Sequence, residues 1–148
     1  MFRKRTDGKI QTLRGVEGLS TLSDAELSRL ASIADIAEVP DGTVLTREGR
    51  RGREAFLIVS GEARVAREGD EIATLGPGQF VGEMALLDHE PRSADVVSVG
   101  STRVLVFDPN AFQEMLRSAP GLTRRLLSQV SSRLRTMDDE ATERIAHG

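Results

Sequence analysis

The sequence predicts a mainly β domain with α-helices before and after it, and three observations carry that expectation. Between residues 39 and 107, short strand-like runs at 44–46, 56–59, 63–66 and 72–75 are separated by turns at Asp41-Gly42, Ser60-Gly61, Glu68-Gly69-Asp70 and Gly76-Pro77-Gly78. Short runs at regular spacing, punctuated by Gly, Pro and Asp, are the pattern of a β-roll or barrel. Ahead of them, Ser23 followed three residues later by Glu26 has the form of a capping box, and Leu27, Leu30, Ala31 and Ala34 recur at helical spacing until Pro40 approaches. Behind them, Asp108-Pro109 reads as an N-cap with proline in the first helical position, for a helix to about Arg117 that Pro120-Gly121 breaks. A final helix is expected over about 122–137, where Leu127, Val130, Leu134 and Met137 follow one another at intervals of three, four and three.

At 148 residues the chain is the size of one domain with a real core. Its net charge of −3 argues against a surface built as a whole for nucleic acid or anionic membrane. The absence of cysteine excludes a disulfide framework, a thiol nucleophile and a cysteine metal site. His89 and His147 lack ligand-spaced carboxylates, so no metal is expected; the acidic neighbours of His89, Asp88 and Glu90, read as a polar bulge. Five Phe with no Trp or Tyr leave little surface for stacking single-stranded bases. No run of 18 apolar residues and no signal-like region occurs, and a cytoplasmic protein without a membrane partner is expected. Nor is there a G-x-S-x-G, Walker or H-E-x-x-H motif, which leaves no catalytic set and points away from an enzyme. Residues 1–15, basic and without periodicity, are expected to be a mobile terminus, and 138–148 a polar tail.

The chemistry concentrates in residues 80–94, F-V-G-E-M-A-L-L-D-H-E-P-R-S-A. Glu83 and Arg92 stand nine positions apart there, each flanked by small residues that let the backbone approach a ligand and present its N–H groups. An arginine fork matches a phosphate, the start of a short helix after Gly82 adds oriented donors, and a carboxylate accepts from a sugar hydroxyl. The pair therefore suits the two ends of one sugar phosphate. The glycines at 76, 78 and 82 have the wrong spacing for a dinucleotide fingerprint and no strand-turn-helix unit around them.

Gly82-Glu83-Met84-Ala85-Leu86, followed by Pro91-Arg92-Ser93-Ala94, resembles the phosphate-binding cassette of the cyclic-nucleotide-binding domain family. The resemblance spans roughly residues 16–137 and implies a double-stranded β-helix, a jelly-roll-like roll of about eight strands, with helices at both ends. It assigns the ribose 2′-hydroxyl to Glu83 and the cyclic phosphate to Arg92, helped by backbone N–H groups near Gly82, Met84, Ser93 and Ala94. Val65 and Ile72 would wall the purine. Ser93, after the arginine, favours cAMP over cGMP as the ligand, with no other cofactor. The last helix would serve as a lid from Arg133, Leu134 and Met137, its apolar face drawn over the nucleotide, or pair with its twin in a homodimer. The implied function is a sensor of the second messenger that relays it through that helix to a protein partner. Two alternatives are the effector domain of a catabolite-activator-like DNA-binding regulator and a family member that keeps the fold without nucleotide. Only eleven residues follow Met137, too few for a helix-turn-helix, so direct DNA binding is not expected of this chain. One departure is the arginine-rich stretch 47–54, which reads as a solvated hairpin tip where relatives carry acidic or neutral residues.

Overall fold

The computed structural model describes the backbone of residues 2–147 and the side chains of residues 8–87 and 89–133. Two helices, α1 (Phe2–Arg14) and α2 (Asp24–Ile33), lead into β1 (Asp35–Val39), β2 (Val44–Thr46), β3 (Ala55–Arg67), β4 (Asp70–Leu75) and β5 (Phe80–Val81). Then come α3 (Glu83–Asp88), β6 (Asp95–Phe107), α4 (Pro109–Ser118) and α5 (Pro120–His147). All strand pairs are antiparallel, in the path β1-β6-β3-β4 with β2 on β6 and β5 on β3, so the roll is open.

Six strands stand where about eight were expected. The runs at 56–59 and 63–66 are one strand, β3, and those on either side of Gly100 are one strand, β6. Each bends without breaking. The β3–β6 register shifts around Ser60, and Gly61 and Gly100 take φ of +89° and +71°, so bulge and glycine supply the turn that the sequence pattern suggests as a strand end. A Cβ on Gly61 would lie 2.7 Å from Thr102 Oγ1 and 2.8 Å from the Ser101 carbonyl oxygen.

The five buried residues 55–59 of β3 have apolar neighbours on both faces. Ala55, Leu57 and Val59 join Leu105, Phe107 and the helical residues Leu27, Leu30, Phe112, Met115, Leu122 and Leu126. Phe56 and Ile58 point the other way, into the roll, with Leu75, Val81, Val96 and Val104. A continuous apolar run is what a strand between two cores requires.

The helix signals are local and mostly hold. Ser23 Oγ accepts from Glu26 N at 3.1 Å, and Asp108 caps α4 by accepting from Ala111 N at 2.7 Å. Glu26 does more than close its own cap: its Oε2 accepts from Gly121 N at 2.8 Å, satisfying one of the open donors at the start of α5.

Three boundaries differ from expectation. The basic N-terminus forms α1, held by buried Leu13 and by Lys9 Nζ donating to the Ala31 carbonyl at 2.7 Å. β1 starts at Asp35 because that segment pairs residue for residue with β6, from Asp35↔Val106 to Val39↔Thr102. Helix α5 begins at Pro120, where a missing N–H costs nothing, and its backbone runs on through the polar segment to His147.

Gly61→Ala should cost about 1–3 kcal/mol of unfolding free energy, from backbone strain at positive φ and the contact with the Thr102 strand. Gly69, with φ +84° and open space around its Cα, isolates the strain. Urea denaturation should show Gly61→Ala below Gly69→Ala; equal midpoints would remove the close-approach argument.

Candidate functional site

Pairing of β5 with β3, Phe56↔Val81 and Leu57↔Phe80, delivers the chain to Gly82, whose φ of +77° turns it into α3. This turn opens a cavity of about 380 Å³ between the β3–β4 wall, residues 82–94 and α5. Val65, Ile72, Gly82, Glu83, Met84, Arg92, Ser93, Ala94 and Arg133 all line it, so residues from four parts of the sequence converge. Ile72 is half exposed on the wall. The side chains of Leu134 and Met137 lie outside the described residues.

Arg92 is buried at 7% exposure and closely boxed. Its Nη1 donates to the Gly82 carbonyl at 2.7 Å and its Nη2 to the Glu54 carbonyl at 2.6 Å. A Cβ on Gly52 would stand 1.8 Å from its Cζ, and one on Gly82 2.2 Å from its Nη1, so both glycines are required by the guanidinium. The main chain is strapped as well, Arg92 N donating to Arg50 O at 2.8 Å and Gly49 N to Arg92 O at 2.9 Å. The arginine-rich stretch is therefore more than a solvated tip. Its arginines at 47, 50, 51 and 53 are exposed, while its backbone positions Arg92. Burial draws the Arg92 pKa down, and Glu83 and then Glu54 oppose that shift; two of the five N–H groups are committed to carbonyls, leaving the others for a ligand.

Glu83 is fully buried. Its Oε1 accepts from Arg133 Nη1, and its Oε2 has no hydrogen-bond partner among the described residues. Burial pushes the carboxyl pKa up, against the attraction of Arg133 first, then hydrogen bonds and Arg92. An orphaned buried acceptor is costly, and a donor entering the cavity would satisfy it.

Helix α5 reaches the same place with side chains four residues apart. Arg125 Nε donates to Gly78 O at 2.7 Å; Gln129 accepts from Phe80 N at 2.9 Å and donates to Phe80 O at 3.1 Å; Arg133 Nη2 also donates to Phe80 O at 2.7 Å. Among the described residues, the α5 side chains over the cavity are polar: Gln129, Ser132 and Arg133. Expectation had placed an apolar face there. Val130 packs on the helical core instead, and Leu127 is exposed.

Sequence reasoning passed over Thr46, Arg67, Gln129 and Ser132, all of which line the cavity. For the strap, Gly52 among arginines was the available signal of close approach. Among the described residues no cluster of three metal-ligating side chains exists. A buried carboxylate with one oxygen lacking a donor, in a cavity shared with a boxed guanidinium, suits a ligand with a hydroxyl and an anionic group.

A family model described as the cyclic nucleotide-binding domain matches residues 36–119, more than half of the chain. This chain belongs to that family. It is 34% identical over 113 residues to the cAMP-dependent protein kinase regulatory subunit of Hypocrea atroviridis, covering 76% of this chain and 24% of the relative. The cyclic AMP receptor protein of Thermus thermophilus is 33% identical over 121 residues, 73% of this chain and 56% of the relative. Among solved structures, the Thermus thermophilus catabolite activator protein superposes with a TM-score of 0.72 at 30% identity, over 88% of this chain and 62% of that one. The chain thus spans about a quarter to just over half the length of these curated relatives.

The raised pKa of Glu83 has a signed consequence. Between the ordinary carboxylate pKa of the unfolded chain and the higher folded value, the native state holds more protons, so stability falls as pH rises and the full cost is present above the folded pKa. Glu83→Gln removes that titration, and partly exposed Arg133 can rehydrate. Unfolding free energy of the empty domain, measured against pH, should show Glu83→Gln gaining on the wild type from acid to neutral pH. Parallel profiles would count against a buried, upshifted Glu83.

Proposed function

We propose that this chain is a cyclic-nucleotide-binding regulatory module whose ligand is cAMP, and the observation that carries the proposal is the unpartnered Oε2 of buried Glu83 in a cavity shared with Arg92. The ribose 2′-hydroxyl donates to that oxygen. The cyclic phosphate takes the remaining N–H groups of Arg92 and the backbone N–H groups of Ser93 and Ala94, while Val65 and Ile72 wall the purine. Ser93 beside Arg92 favours adenine, with cGMP the second ligand. Family membership and relatives named for cAMP support this choice. The module acts as a cytoplasmic sensor and not as an enzyme.

Signal output runs through α5. Arg133 already occupies Glu83 Oε1, so a ligand hydroxyl and a helix side chain share one carboxylate. A ligand biases two arrangements only through differential contacts, and this shared group is where binding and helix position meet. A protein partner, either a second copy of this chain or a downstream target, would read the helix.

Titration calorimetry with cAMP should give saturable binding that Arg92→Lys weakens by at least about tenfold, since a point charge cannot reproduce parallel hydrogen bonds. Deleting the ribose hydroxyl, as 2′-deoxy-cAMP, should cost roughly 1.5–3 kcal/mol, the scale for a bond to a charged group. Unchanged affinity in either case would refute the corresponding role, and a wild type that binds neither cAMP nor cGMP would identify a member that retains the fold alone. Hydrogen exchange over residues 122–133 should respond to cAMP in the wild type and respond less in Arg133→Ala; an equal response would separate α5 from the signal.

A further inference from the structure

Arg67 lines the cavity without a part in the scheme above. It follows Val65 by two residues on β3 and so shares its face of the strand. Val65 stands opposite Ala73 of β4 and Val96 of β6, and Arg67 stands opposite Asp70 where β3 turns into β4. The guanidinium is tethered, its Nε donating at 3.1 Å to the carbonyl of Ser93, the residue after Arg92. No ion pair engages Arg67 among the described residues. Four N–H bonds remain on its two terminal nitrogens.

The role of Arg67 rests on the cyclic-nucleotide reading of the site. With the phosphate on Arg92 and the ribose on Glu83, the purine has the β3–β4 wall left to lie on, where Val65 and Ile72 make no directional bonds. Arg67 brings donors to that wall. We infer that Arg67 is the base-reading residue of the cavity, its terminal N–H groups donating to the acceptor edge of the purine at N7 and, in guanine, O6. Adenine carries an amino donor where guanine carries O6, so a guanidinium finds two acceptors on guanine and one on adenine. Arg67 therefore works against the preference attributed to Ser93 and narrows the gap between cGMP and cAMP. Were Arg67 a second phosphate ligand, both nucleotides would depend on it equally, because both carry the same phosphate.

The test is calorimetric titration of the full chain, as wild type, Arg67→Met and Arg67→Lys, with cAMP, cGMP and 7-deaza-cGMP. Arg67→Met should weaken cGMP about tenfold more than cAMP, within the range for one bidentate arginine–guanine contact. Arg67→Lys should fall between it and the wild type. Removing N7 should cost affinity in the wild type and nothing in Arg67→Met. Equal losses for both nucleotides, or none, overturn the role of Arg67 while leaving nucleotide binding intact; a wild type that binds no cyclic nucleotide overturns both.

Discussion

A carboxylate with no exposed surface and one unsatisfied oxygen is the constraint around which this domain is arranged. Burying a charge is expensive unless it is paired and hydrogen-bonded, and Glu83 is only half provided for. Arg133 supplies one oxygen, and Arg92 adds attraction without a direct bond to the other. Much of the surrounding geometry exists to hold those two cations in place. The short β5 ladder sets Gly82 in its left-handed turn, and Gly82 and Gly52 leave room for the Arg92 guanidinium that Cβ atoms would fill. Ground-state cost concentrated at one atom is the signature of a site built for a missing donor and not of a core built for stability.

The same constraint explains the form of α5. Arg125 is locked between two turns: a Cβ on Gly18 would sit 2.3 Å from its guanidinium, and Gly78, which accepts from it, has the Glu17 carbonyl 2.1 Å from where its own Cβ would be. Leu122 and Leu126 are buried in the helical core on the same turns. The near end of the helix is therefore fixed to the β-roll. One turn on, Gln129 pairs with both backbone groups of Phe80, as a neighbouring strand would, and one further turn brings Arg133 to Glu83. A helix anchored at its base and touching the cavity farther along can respond at the far end without unfolding at the near one.

Local features were legible in the sequence. Ser23, Asp108 and the cassette each depend on residues within a few positions of one another; Ser23 and Asp108 cap the helices they were expected to start, and the cassette residues line one cavity. What escaped depends on partners far along the chain. Asp35 to Val39 looks like the continuation of a helix until β6 is present to pair with it. β3 and β6 read as four strands because a glycine inside a bent strand has the composition of a turn. The Glu83–Arg133 contact spans fifty positions, and the strap from Glu54 to Arg92 spans thirty-eight through a backbone carbonyl that carries no side-chain signature. In the described half of the α5 seam, Val130 packs inward, but on the helical core, while polar side chains one position away or two line the cavity.

An acidic chain can still gather positive charge at one cleft. The net charge is −3, yet the cavity gathers Arg67, Arg92 and Arg133 around the single carboxylate of Glu83. Once Arg133 is set against Glu83, two cations remain, one buried in a box of carbonyls and one tethered at the rim. Enclosure by low-dielectric walls concentrates such a field within the cleft, while screening confines the surrounding negative charge to about 8–10 Å. A monoanion satisfies Arg92 and leaves Arg67 without a counter-charge. On the proposed reading, the occupant carries one negative charge toward Arg92 and an uncharged, acceptor-bearing ring toward Arg67, with a hydroxyl between them for Glu83.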